Sequence, residues 1–284
     1  MPLPRSSLHR GRWRRFPRRV TPWAGALLTP SPSLAGLAWL ALMAFLAGLV
    51  NAIAGGGSLL SFPALIATGM PMVVANVTNT VALVPGYLGA ALAQRRQLRG
   101  QGGRLPLMLP AAVAGGLAGA LLLLHSSERL FSSLAPWLIL SGSLLLALQD
   151  PLRQWLQRRV RTQGQPHSER WATLPVFIAS IYGGYFGAGL SVILLALLAI
   201  SLEDNLTRLS GLKQILALAS NLAAALLFLA VAPVSLLPAA VMALTSVVGG
   251  AVGGKLLGRL NPQWLRGLVV AIGVVVAILL MRRP

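Results

Sequence analysis

Cysteine is absent from this 284-residue chain, which removes disulfides, thiolate metal centres and cysteine nucleophiles from consideration. Histidine is scarce: His9, His125 and His167 lie far apart in expected loops, so they form no metal cluster and offer no base to an intramembrane serine protease. Only five residues are acidic, and none falls deep in an apolar run, so a carboxylate proton relay has no candidate. Charged residues make up 10% of the chain, against roughly a quarter in soluble domains. What is present instead is apolar: 56% hydrophobic residues and a mean hydropathy of +0.74, the composition of an integral membrane protein.

Apolar stretches and their breakers predict eight membrane segments, at about residues 34–67, 72–93, 106–124, 134–148, 172–200, 205–230, 236–257 and 265–281. The expected fold is an all-α integral membrane protein of two four-segment repeats, with helices broken at glycine-rich motifs. Residues 1–33 read as a basic, disordered cytoplasmic tail, 34–149 as the first transmembrane repeat, 150–171 as a basic cytoplasmic linker and 172–281 as the second repeat. The 24 lysines and arginines sit mostly in the tail and loops, so the charge reads as topology in the lipid bilayer and not as nucleic-acid binding. With a cytoplasmic N-terminus in an inner membrane, the loops holding Arg95, Arg96, Arg99 and Arg104, then Arg153, Arg158, Arg159, Arg161 and Arg170, also fall inside. Lys255, Arg259 and Arg266 then fall outside, against the rule, which leaves the side of that loop open.

Three interruptions break the apolar run from Gly48 to Ala93: Gly55, Gly56 and Gly57 with Ser58; then Asn76, Thr78, Asn79 and Thr80; then Pro85 and Gly86. Irregular backbone survives in lipid only where protein or a wet cavity covers it. A shift of 132 residues lays Gly55 and Gly57 on Gly187 and Gly189, and Ala64, Leu65 and Ala67 on Ala196, Leu197 and Ala199. The same shift lays Asn76 on Arg208 and Thr78 on Ser210. Gly115 and Gly119 find counterparts in Gly249, Gly250, Gly253 and Gly254, at spacings that let helix backbones approach closely.

The runs NAIAGGGSLLSFPALIATGMPMVVANVTNTVALVPG and GGYFGAGLSVILLALLAISLEDNLTRLSGLKQIL resemble the sulfite exporter TauE/SafE family of membrane permeases. The resemblance covers nearly all of residues 34–281 and implies transport of sulfite, sulfoacetate or another small organosulfur anion. In one departure, Pro63 has Leu195 at the matching position of the second half, which bears on whether the two halves bend alike.

Both glycine breaks are expected near the membrane midplane, where a half-helix starting at Ser58 would offer an anion its free N–H groups. Glycines that only permit tight helix packing are the alternative. The expected substrate-binding set is Asn51, Gly55, Gly56, Gly57, Ser58, Asn76, Thr78, Asn79, Gly187, Gly189, Ser210, Lys213, Gln214 and Asn221. Asn76, Asn79, Thr80 and Tyr87 share one helical stripe, and Ser210, Gln214 and Asn221 another; interhelical hydrogen bonding is their other reading. Lys213, two turns into its segment, is a partner for a substrate anion, whereas Arg208 snorkels or pairs with Glu203 or Asp204. The run Gly187, Ala188, Gly189 lacks the strand and the ribose-binding acid of a dinucleotide fingerprint, so no cofactor is expected, and nothing in the motifs calls for an enzyme. The expected function is export of a small sulfur anion; uptake, an anion channel or a non-transporting membrane assembly factor remain alternatives, and a homo-oligomer stays open.

Overall fold

The computed structural model describes residues 32–53, 55–98, 100–160, 169–202, 204–256 and 261–282. The cytoplasmic tail expected over residues 1–33 falls almost wholly outside them, as do Arg99, Glu203 and Arg259. The described chain is all-helical: α1 (Leu34–Ile53), α2 (Ser58–Ala67), α3 (Met72–Ala93), α4 (Leu105–His125), α5 (Glu128–Ala147), α6 (Gln149–Val160), α7 (Thr173–Tyr185), α8 (Leu190–Ser201), α9 (Leu206–Val231), α10 (Leu236–Lys255) and α11 (Pro262–Met281). Among the described residues, seven helices are long and apolar enough to cross a membrane, namely α1, α3, α4, α5, α9, α10 and α11.

Helix ends follow local chemistry. Ser127, Asn205 and Asn261 cap α5, α9 and α11, their side-chain oxygens accepting from Leu130 N, Thr207 N and Gln263 N. The cap at Ser127 starts α5 six residues before the expected 134, so Glu128 and Arg129 belong to its first turn and not to a loop. Glu128 also accepts from the amides of Met72 (2.5 Å) and Val73 (3.1 Å), placing a carboxylate on the positive end of α3. His125 likewise ends α4 instead of lying in a loop. Part of the expected linker is helical, since α6 runs to Val160 and buries Leu156.

The first and fifth expected segments each fold back instead of crossing once. The end of α2 returns to the start of α1, where Ala67 and Thr68 line one pocket with Ser33, Gly36 and Trp39. Near its turn, Gly57 lies against the Ala47 carbonyl of α1. In the second half, Leu198, Ala199 and Leu202 at the end of α8 share a core with Ala172 and Val176 at the start of α7. Each hairpin thus returns the chain to the side it started from, against the expected single crossing.

One end of the bundle gathers Gln94, Asp204 and Arg208, because Arg104 pairs with Asp204, Gln101 donates to the Arg208 carbonyl (2.8 Å) and Ser210 donates to Gln94 (3.3 Å). Arg266 reaches Asp150 at 2.5 Å, so α11 starts beside the end of α5. The other end gathers Met72, Glu128 and Ser235, the last through Ser235 N donating to Thr78 Oγ1 at 3.1 Å. The loop between α8 and α9 therefore lies with the basic loop 94–104, and the loop between α9 and α10 lies away from it, each opposite to expectation. Alternate crossing fails as a guide here because a hairpin consumes a long apolar segment without changing sides.

Contacts recur in matching pairs. Helix α1 packs along α10, and α7 along α4; α3 touches α10 as α9 touches α4. A Cβ on Gly249 or Gly115 would overlap the carbonyl oxygen of Phe45 or Phe177. One turn on, Gly253 and Gly119 face the carbonyls of Leu49 and Ile181 in the same way.

Candidate functional site

The first break lies between Ile53 and Ser58. Val50 O accepts from Gly55 N at 3.0 Å, closing α1 with a wide turn, and Gly55 and Gly56 adopt φ +81° and +84°, which glycine reaches without a Cβ penalty. Leu60 N and Ser61 N both donate to Gly57 O, opening α2. The second break repeats this pattern: Gly187 N donates to Tyr182 O at 3.1 Å, Val192 N and Ile193 N donate to Gly189 O, and Gly187 and Gly189 both sit at φ +80°. Three hydrogen bonds thus recur at the 132-residue spacing. In both halves these bonds use donors of the new helix's first turn, leaving fewer N–H groups for an anion than a bare helix end would offer.

Both breaks are seated on α5. A Cβ on Gly56 would fall 2.8 Å from Leu146 Cδ2, and one on Gly189 would fall 3.4 Å from Leu145 Cδ1, so the two loops meet that helix at adjacent positions. Helices α2 and α3 also hold the second loop. Phe62 of α2 packs edge-on against Phe186 with ring centroids 5.3 Å apart, and Asn76 Nδ2 donates to Tyr185 O at 2.8 Å. The Tyr182 hydroxyl donates to Ala188 O at 2.6 Å and holds the second loop from inside.

The expected site residues divide into groups. Asn51, Gly55, Gly56, Gly57 and Ser58 surround the first break, with Ser58 buried. Gly187, Gly189 and Asn221 form the second, where Asn221 Oδ1 lies 3.5 Å from the Cβ position of Gly187. Asn76 bridges from α3, and Asn79 is buried beside it in sequence; the Oδ1 atoms of both have no protein partner. Thr78 does not join them, because its hydroxyl accepts from Ser235 N at the head of α10. Ser210 is drawn to Gln94 at the basic end, half-buried Lys213 lies three residues further along α9, and Gln214 is buried next to it.

A cavity of about 520 Å³ adjoins the first break between α1, α3 and α10. Asn51, Gln94, Gln97 and Ser246 give it neutral polar groups, and Leu83, Pro85 and Gly86 lie along α3. Of the expected site residues only Asn51 lines it. Gln94, Gln97 and Ser246 were missed because nothing in their spacing marks them; Pro85 and Gly86 were visible as an interruption of α3. Among the described residues no group of three His, Cys, Asp or Glu side chains is placed to hold a metal.

Seven helices long and apolar enough to cross a membrane, among the described residues, define an all-α multi-pass membrane protein. The family model described as "Sulfite exporter TauE/SafE" matches residues 40–280, and the chain belongs to that family. It is a family of transporters, so the protein is a membrane transporter and not an enzyme. A "Probable membrane transporter protein" of Haemophilus influenzae is 29% identical over 234 residues, covering 82% of this chain and 90% of the relative. "Probable membrane transporter protein YfcA" of Escherichia coli is 28% identical over 253 residues, covering 89% and 91%. A third relative, from Sinorhizobium, is 26% identical over 252 residues, with 87% and 93% covered. No solved structure matches the chain.

Proposed function

We propose that this protein is a carrier for a small sulfur-containing anion of the sulfite or organosulfonate class, working outward across the inner membrane. The observation that carries the reading is the convergence of the two glycine breaks on α5, with Asn76 of α3 holding the second. Paired broken helices meeting inside a bundle are a recurrent way to hold a small ion away from lipid. Asn51, Ser58, Asn76, Asn79 and Asn221 supply neutral donors around it, and Lys213 supplies positive charge at the basic end.

Two repeats of opposite orientation account for the recurring contacts: α1 to α5 form one and α7 to α11 the other. The family name supports sulfite as a member of the substrate class. Placing the basic end in the cytoplasm gathers Arg95, Arg96, Arg104 and, in the first turns of α11, Arg266 on one side, in line with the positive-inside preference. The start of α1 then lies at the outer face, a change from the cytoplasmic N-terminus expected from alternate crossing; residues 1–31 themselves lie outside the described residues.

Proteoliposomes loaded with sulfite, thiosulfate, sulfoacetate, taurine or sulfate test the reading. Saturable flux with counterflow of one of them supports a carrier, and conductance linear in concentration favours a channel. No flux with any sulfur anion sinks the assignment in favour of an assembly role. Uptake in right-side-out vesicles that exceeds efflux reverses the proposed direction.

A further inference from the structure

The helix groups α1–α3–α10 and α7–α9–α4 share a packing pattern but differ at one contact. In the second group α4, α7 and α9 are shut together: a Cβ on Gly116 would overlap the Ser220 carbonyl, and one on Gly184 would overlap the Gly116 carbonyl. The glycine–carbonyl contacts that match α4 with α10 pair Gly116 with Gly250, and the 132-residue spacing pairs Ser220 with Leu88. There the contact is missing. A Cβ on Gly250 would find only the Gly48 carbonyl, at 3.8 Å, and no atom of α3 within 4 Å.

Helices α3 and α10 do touch nearer the other end, where Thr78 accepts from Ser235 N and Ser246 Oγ donates to Ala82 O at 3.4 Å. They part beyond Pro85, and the cavity fills the space. Proline has no amide to donate to the carbonyl four residues back, and its ring crowds that carbonyl, so a helix yields there. The matching residue on α9 is Ala217, with no such weakness. Past the hinge, Gly86 has only Ser246 Oγ near its Cβ position, at 3.9 Å, and Gly89 has nothing within 4 Å. Small residues facing empty space have no packing role in this state. They would have one with α3 swung onto α10 as α9 now lies on α4.

We propose that the α1–α3–α10 cavity is the open member of a pair of substrate mouths. It admits the anion from the Gln94 end, and the α7–α9–α4 interface at Gly116, Gly184 and Ser220 is the closed mouth toward the opposite face. The two exchange states, with Pro85 as the hinge of the first. The proposal rests on the carrier reading and adds to it which interfaces open, and in what order relative to each other.

The chain has no cysteine, so single reporters need no background removal. Gly86→Cys places a thiol in the cavity, and Ser220→Cys, close to isosteric, places one in the shut interface. A membrane-impermeant maleimide, applied to each face of sealed vesicles in turn, should label Gly86→Cys promptly from the Gln94 face. It should label Ser220→Cys slowly and only from the opposite face. Adding Gly89→Trp, which has room to prop the first mouth open, should slow Ser220→Cys labelling by about tenfold or more. Gly89→Leu serves if the tryptophan variant does not fold. Labelling of Ser220→Cys at an unchanged rate with the wedge, from the Gln94 face, or not at all in a protein that transports would overturn the proposal. Coupled labelling with no flux of any sulfur anion would instead count against the substrate assignment and leave the paired mouths standing.

Discussion

Gly249 and Phe45 lie so close that a Cβ on the glycine would overlap the phenylalanine's carbonyl oxygen, and Gly115 stands to Phe177 in the same relation. A backbone carbonyl cannot rotate away as a side chain can. Gly249→Ala should therefore force α1 and α10 apart and destabilise the protein by about 1–3 kcal/mol. Gly250→Ala, one residue along with its nearest atom 3.8 Å away, should instead be neutral or stabilise by about 0.5–1 kcal/mol through helix propensity. Thermal unfolding in detergent separates the two. Equal melting temperatures for both variants would contradict the packing described.

Glu128 joins α5 to the head of α3 through the amides of Met72 and Val73. Its loss leaves two donors without a charged acceptor and removes a favourable dipole interaction. Glu128→Ala should cost about 1–2 kcal/mol, which for a chain of this size is a fall of several degrees in melting temperature. Glu128→Gln, which keeps an acceptor oxygen but not the charge, should fall between the two. A melting temperature unchanged in Glu128→Ala would show that the cap carries no stability.

Much of this fold was legible in the apolar runs and their breakers, because helices in lipid must satisfy their own backbone. Gly55 and Gly57, and Gly187 and Gly189, stand between α1 and α2 and between α7 and α8, and Asn76 is buried on α3. Sidedness was not legible. A hairpin such as α1–α2 and a single tilted crossing draw on the same apolar composition, and only contacts like that of Thr78 with Ser235 tell them apart. The cavity was hidden for a related reason, since Gln94 and Gln97 look like ordinary loop residues until α10 is known to run beside α3. The structural partner of Thr78 was not legible either, because nothing in the sequence brings Ser235 N to its hydroxyl.

The sidedness itself can be measured. In the cysteine-free chain, Gln97→Cys and Gln263→Cys should be labelled from one face of the membrane, and Ser33→Cys and Ser235→Cys from the other. The orientation proposed from positive charge puts the first pair in the cytoplasm. Labelling of Ser33→Cys and Gln97→Cys from the same face would restore single crossing for the first segment and remove the hairpin.

Asn76 and Asn79 are both buried on α3, at 1% and 3% exposure, yet they differ in what holds them. Asn76 donates to Tyr185 O and so links the two halves; Asn76→Leu should cost about 1–3 kcal/mol by leaving that carbonyl without its donor. Asn79 Oδ1 has no protein partner, and a buried acceptor in that condition costs stability instead of adding it. Asn79→Leu should accordingly leave the melting temperature unchanged or raise it. If that oxygen is present to accept from a water travelling with the transported anion, the same change should lower flux by about tenfold or more, the effect of losing one well-placed polar contact. Flux and melting temperature measured on the same preparation decide the matter. A drop in both would make Asn79 a structural residue, and a drop in neither would take it out of the site.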